Sequence, residues 1–277
     1  MLGRPLCERF DLVFGTSTGA IIAALISLGY GVDAIHDLYR EHVPTIMSCR
    51  RRKTRTAALE KLTHEVFGKH SFADFRTGIG IVTARWLTER PMIFKSRIEQ
   101  AHGARGSFIP GFGVPLADAI QASCSAYPFF ERKIVKTADG DLVELLDGGF
   151  CANNPTLYAI SDAVAAFGRT HSEINVVSIG VGEYPAPKNI LVWLAKKFPF
   201  NSIELLQKTL EINTQSMDEL RGLLFKDVAT VRISDRFTHP AMATDLLEHN
   251  LEKLNILRQR GRESFRPRED QLRQLLM

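Results

Sequence analysis

The sequence holds little that would support a cross-linked, membrane-spanning or nucleic-acid-binding protein. Its four cysteines, Cys7, Cys49, Cys124 and Cys151, never fall in C-x-x-C spacing. That excludes the usual zinc-site and disulfide-framework patterns and points to a reducing compartment. No linker rich in Pro, Gly or Ser, no low-complexity tract and no repeat of solenoid period interrupts the chain, so one domain over residues 1–277 is expected. Lys and Arg number 35 against 31 acidic residues. A balance of +4 is too mild to mark a DNA or RNA partner, although it suits an anionic surface. The longest apolar run, Ala20 to Leu28, is about half of the ~20 residues that cross a bilayer. The first residues lack the basic, apolar, small-residue order of a signal peptide, and the expected location is the cytoplasm. No Gly-rich phosphate loop is present, and neither a metal nor a cofactor is expected.

What is present is a large apolar fraction, 45% of residues, arranged in alternating periods. Runs bounded by turn residues predict strands at Asp11–Phe14, Ile79–Leu87, Met92–Phe94, Lys133–Lys136, Leu142–Leu146, Ile174–Ile179 and Val228–Ile233. Helical patterns fall at Thr18–Leu28, Asp33–Pro44, Ala57–Phe67, Leu116–Ala126, Thr156–Phe167, Ile190–Lys197 and Ser202–Leu224. This alternation predicts an α/β fold. Near the end, Asp245 and Glu248 form a capping-box pattern ahead of Leu247, Leu251 and Leu254, and a last short helix is expected from Pro267.

Two stretches carry chemistry. In DLVFGTSTGA, residues 11–20, a strand runs into Gly15-Thr16-Ser17-Thr18-Gly19 and then directly into a helix. Strand, G-x-S-x-G and helix in that order describe a nucleophile elbow, in which a strained turn lifts the serine hydroxyl above the sheet edge. The helix N-terminus favours developing negative charge, and the Thr18 N–H is an oxyanion donor. A serine needs a base. Among eight histidines, only His239 lies in a loop after a late strand where a triad partner could sit, a solvated loop residue being the competing reading. The other candidate is Asp147, in VELLDGGFCANNP, where an apolar strand delivers a carboxylate followed by Gly148 and Gly149. Beside Leu145, Leu146 and Phe150 it should be partly desolvated, which raises its proton affinity and makes it a better base near neutral pH.

GTSTG after a strand, paired with DGG ahead of an N-P helix start, resembles the patatin-like phospholipase family, whose members use a Ser-Asp dyad for acyl hydrolysis. The segment QASCSAYPFFERK, from Gln121 to Lys133, is similar to that family's A-x-x-A-P-x-x-F stretch, and Ile179-Gly180-Val181-Gly182 to its S-x-G-T-G. The match runs in order over residues 10–182 and leaves a C-terminal helical part, 183–277. The resemblance implies a three-layer α/β/α fold with a mainly parallel central sheet, Ser17 as nucleophile, Asp147 as base, and a phospholipid or lysophospholipid substrate. The late segment PAMATDLLEHNLEKLNILRQRGRESF is similar to the C-terminal part of bacterial patatin effectors that cyclic dinucleotides switch on in antiphage defence. That likeness implies a cyclic-dinucleotide activator.

The family pattern also opens with a strand and a D-G-G-G-x-R-G loop, whereas only MLGRPLCERF precedes Asp11. The expectation is a missing N-terminal strand and oxyanion loop, a longer natural product, and a 277-residue form slowed by at least the roughly 10²- to 10³-fold of one oxyanion donor. Two basic stretches, Cys49–Arg55 and Trp193–Phe200, could meet an anionic membrane at its inner face. Three classes stay open on the residues: a lipid acyl hydrolase using Ser17 and Asp147, a soluble esterase with a Ser17-Asp147-His239 triad, and a catalytically silent interaction protein.

Overall fold

The computed structural model describes residues 4–184, 201–244 and 247–277. Five strands form the main sheet: β1 (Leu12–Thr16), β2 (Gly78–Arg85), β3 (Pro91–Lys95), β4 (Lys133–Lys136) and β5 (Leu142–Asp147). Two more, β6 (Asn175–Ile179) and β7 (Ala229–Ile233), pair with each other. The helices are α1 (Thr18–Leu28), α2 (Val32–Met47), α3 (Arg52–Phe67), α4 (Leu116–Ser123), α5 (Gly149–Ala152), α6 (Thr156–Ala165), α7 (Asn201–Leu224), α8 (Leu251–Phe265) and α9 (Glu269–Leu276).

β2 is the organising strand. Its sequence GIGIVTAR has no sustained alternation, and seven of its eight residues are buried, as expected of a strand covered on both faces. β1 runs parallel to it, while β3 and β5 pair with it antiparallel and β4 extends from β5, also antiparallel. The mainly parallel arrangement expected from sequence is thus seen in β1–β2 and β6–β7, and the other pairs of the main sheet are antiparallel. Short connections explain this, because β2–β3 and β4–β5 are hairpins, which cannot join parallel strands. α1 is apolar nearly all round, which suits a helix buried in a core. Its Leu25 packs in one cluster with Phe67 of α3, Ile79 and Ile81 of β2, Phe94 of β3, Ile120 of α4 and Leu145 of β5.

Several expectations are corrected. α3 begins at Arg52, not Ala57, because its first turn is anchored: Arg55 is buried and donates to the Phe129 and Cys49 carbonyls. α4 ends at Ser123 rather than Ala126, since the Ser125 carbonyl is taken by the Asp147 N–H at 3.1 Å. The cap of the late helix is Asn250, whose side chain accepts from the Glu252 and Lys253 N–H groups. The expected cap Asp245, the helix at Ile190–Lys197 and the basic aromatic stretch at Trp193–Phe200 lie wholly or mostly outside the described residues.

Candidate active site

The register of the sheet brings Ser17 to Asp147. Val82 of β2 faces Ile93 of β3 on one side and Thr16 of β1 on the other. Thr83, the next residue, faces Met92 of β3 and Asp147 of β5. A strand residue has only two neighbours in the sheet, so β1 and β5 must share the edge of β2 opposite β3. They run towards each other along it and stop at adjacent positions, Thr16 and Asp147. The next residue of β1 is Ser17, and its hydroxyl donates to Asp147 Oδ2 at 2.6 Å.

The turn at Ser17 has a strained backbone geometry. Its backbone sits at φ 55°, ψ −130°, a conformation costly for any residue with a side chain. Gly15 makes the turn sterically possible, because a Cβ there would lie 2.2 Å from the Gly19 carbonyl oxygen. Gly19 differs: a Cβ on it would meet nothing within 4 Å. Ser123, at the end of α4, accepts from the Ser17 N–H at 3.0 Å and donates to the Val82 carbonyl at 2.7 Å. It therefore ties the strained turn to β2. Among the described residues, no backbone hydrogen bond uses the N–H of Thr18 or of Gly19, so both first-turn donors of α1 are free beside the hydroxyl. The Thr18 carbonyl accepts from the Tyr39 hydroxyl at 2.7 Å.

Asp147 is only 3% exposed. Burial pushes its carboxyl up to about 6, against the opposing hydrogen bonds from the Ser17 hydroxyl and the Gly149 N–H. The latter is 2.7 Å from Oδ1 and fixes the carboxylate plane. Burial, reinforced by the Asp147 charge, also raises the neighbouring Cys124 thiol well above its ordinary value, which keeps it a neutral wall. Gly148 lets the chain pass against β2, since a Cβ there would be 2.2 Å from the Val82 carbonyl oxygen. At Gly149 a Cβ would crowd Leu210 at 2.8 Å and Asp147 Oδ1 at 3.0 Å.

A latch holds the short helix α5 that follows. Asn213 of α7 accepts from the Asn153 N–H at 2.9 Å and donates to the Cys151 carbonyl at 3.1 Å. Thr214 accepts from the Asn153 amide at 2.7 Å. Sequence reasoning found Ser17, Asp147 and their glycines but missed Ser123 and Asn213. Ser123 lay inside the quoted segment Gln121–Lys133 with nothing to separate it from Ser125, and Asn213 stands in an ordinary helical pattern.

The remaining candidates fall elsewhere. Ser17 and Asp147 are in direct contact, which leaves no room for an imidazole between them, and His239 is in the loop after β7, ahead of a short 3₁₀ turn at Pro240–Met242. The basic stretch Cys49–Arg55 divides: Arg50 to Lys53 are exposed, whereas Arg55 is buried with its guanidinium over the Phe130 ring. Among the described residues, no group of three or more His, Cys, Asp or Glu could hold a metal ion.

Residues 2–160 match the family model described as patatin-like phospholipase. A cUMP-AMP-activated phospholipase of Escherichia coli is 65% identical over 100% of this chain and 86% of its own length. A cGAMP-activated phospholipase of Vibrio cholerae is 23% identical, covering 94% of this chain and 80% of the relative. Patatin-like protein 2 of Arabidopsis thaliana is 24% identical, covering 93% and 73%.

Proposed function

Because the chain belongs to the patatin-like phospholipase family, and is therefore a serine hydrolase acting on lipid acyl esters, we propose that Ser17 and Asp147 perform the hydrolysis and that a cyclic dinucleotide switches it on. The observation that carries the dyad is the 2.6 Å hydrogen bond from the Ser17 hydroxyl to a buried carboxylate. Asp147, with its carboxyl near 6, is ionised at pH 7 yet basic enough to accept a proton. Ser17 Oγ attacks the acyl carbonyl carbon as its proton passes to Asp147. The carbonyl oxygen becomes an oxyanion, stabilised by the Thr18 N–H and the N-terminal end of α1. On collapse, the bond to the lysophospholipid or glycerophospho-alcohol oxygen breaks, and that oxygen leaves with the proton from Asp147. Water, losing its proton to Asp147, then attacks the acyl-Ser17 ester; the bond to Ser17 Oγ breaks, Oγ takes the proton back from Asp147, and the fatty acid is released with the free dyad restored. Gly19 leaves open space beside Ser17 through which an acyl group can approach.

The activator is argued from the names of the relatives, cUMP-AMP-activated and cGAMP-activated phospholipases; in this reading the chain is a regulated bacterial effector of antiphage defence. The substrate is a long-chain phospholipid or lysophospholipid at an anionic membrane face, with the exposed residues Arg50, Arg51, Arg52 and Lys53 supplying surface charge. A fluorophosphonate probe, with peptide mapping, should label Ser17. In the presence of cUMP-AMP, long-chain phosphatidylglycerol vesicles should be hydrolysed far faster than a soluble butyrate ester, because each buried CH₂ contributes roughly 0.8 kcal/mol. Preference for the butyrate ester, whatever the vesicle composition, would replace the phospholipase by a soluble esterase.

A further inference from the structure

One cavity of about 350 Å³ lies outside the dyad, between β2, β3 and the segment 98–113 that follows β3. Its volume is at the small end of the ~300–1,000 Å³ typical of small-molecule sites. Arg85, Met92, Lys95, His102, Phe108 and Phe112 are among the residues that line it, and no carboxylate does. Two of the nitrogen-bearing side chains are held in place from behind. Lys95 Nζ and His102 Nε2 each lie 2.6 Å from Asp162 Oδ1, and Gln100 braces Oδ2 of the same buried carboxylate at 2.9 Å. Arg85 is different. Its Nε is buried without a hydrogen-bond partner, and among the described residues no ion pair or side-chain hydrogen bond neutralises its guanidinium. An unopposed, partly desolvated Arg in a concave site is a preformed acceptor for a bidentate anion such as a phosphate ester.

The aromatic side of the cavity is also held under strain. Phe112 sits in the left-handed region at φ 55°, ψ 23°, unusual for a bulky residue. Its carbonyl is fixed by the Ala138 N–H at 2.8 Å, and its ring, edge-on to Phe94 at 5.9 Å, is still 41% exposed. Strained residues of this kind collect at ligand clamps. A flat aromatic face beside an unpaired guanidinium suits a base joined to a phosphate. The cavity also borders the dyad through the sheet: the carbonyl of its wall residue Met92 accepts from the Thr83 hydroxyl at 2.6 Å, and Thr83 is the register partner of Asp147.

From these features we infer that this cavity is the activator site, taking a nucleotide ligand whose phosphodiester meets Arg85 and whose base lies against Phe108 and Phe112. The inference rests on the nucleotide-activated reading above and adds its location. The test is isothermal titration of the full chain with cUMP-AMP and with cGAMP, for the wild type, Arg85→Gln and Phe108→Ala, with unfolding temperature and basal hydrolysis of a soluble ester recorded for each. Loss of the charged contact should weaken binding by roughly 10- to 100-fold, and the activation curve should move to higher nucleotide concentration by the same factor while basal ester hydrolysis is unchanged. Wild-type affinity in both variants would overturn the cavity and leave nucleotide activation standing. If neither nucleotide binds the wild type, activation by these nucleotides and the cavity fall together.

Discussion

A carboxyl that keeps its proton until about pH 6 limits the proposed reaction from the acid side. The rate constant kcat/KM should fall as pH drops through 6, since only the ionised Asp147 can take the Ser17 proton; a rate independent of pH between 5 and 8 would remove Asp147 as the base. The same shift has a cost in stability. Unfolded, the group titrates near 3.8, so between pH 3.8 and 6 the unfolded chain releases a proton that the folded chain keeps. The neutral-form stabilisation is complete below 3.8, and it is lost as pH rises through 6. Asp147→Asn should therefore unfold at a higher temperature than the wild type at pH 8, by an amount worth up to ~3 kcal/mol, and the gain should shrink towards pH 4. An equal gain at both pH values would mean that burial of charge is not its source. Ser123→Ala leaves both the Ser17 N–H and the Val82 carbonyl without their partner, so it should lower kcat roughly tenfold with KM unchanged and cost on the order of 1–3 kcal/mol in stability.

β2 acts as a ruler for two strands that end on it, and this is the part of the site a sequence does not display. Every main-sheet strand and α1 through α4 were legible as elements, because apolar runs and helical periods are local signals. That β1 and β5 share one edge of β2 and stop at adjacent residues is a long-range fact; the resemblance of the two motifs paired Ser17 with Asp147 but carried nothing about the strands that bring them together. The elbow glycines show the same limit. G-x-S-x-G reads both alike, yet the chain backs onto Gly15 and leaves Gly19 open. Gly15→Ala should cost at least the ~1–3 kcal/mol of an overpacked core. Gly19→Ala should unfold no earlier than the wild type, and up to ~1 kcal/mol later from helix propensity; equal destabilisation by the two substitutions in a denaturant titration would contradict the elbow geometry. Arg55, at the end of the basic run Cys49–Arg55, shows a related limit: charge density is visible in sequence, but the burial of this one residue depends on Phe129 and Phe130 far along the chain.

Among the described residues, no helix is long and apolar enough to cross a membrane, and the proposed contact with an anionic face is tested at the exposed basic residues. Reversing Arg50, Arg51 and Lys53 to Glu should slow hydrolysis of anionic vesicles at low salt, each residue near the surface contributing about 1 kcal/mol. The difference should shrink as salt screens it, and a soluble ester should be hydrolysed as before. Arg55→Met should instead lower the unfolding temperature, in keeping with its burial. These effects all presuppose that the molecule hydrolyses lipid through two groups, Ser17 and Asp147. Fatty-acid release from phosphatidylglycerol vesicles with cUMP-AMP present, compared for the wild type, Asp147→Asn and His239→Ala with folding verified for each, tests this most directly. The dyad predicts a loss of roughly 10⁴-fold or more in Asp147→Asn and wild-type release in His239→Ala. Comparable loss in a folded His239→Ala, or substantial activity in Asp147→Asn, would contradict it.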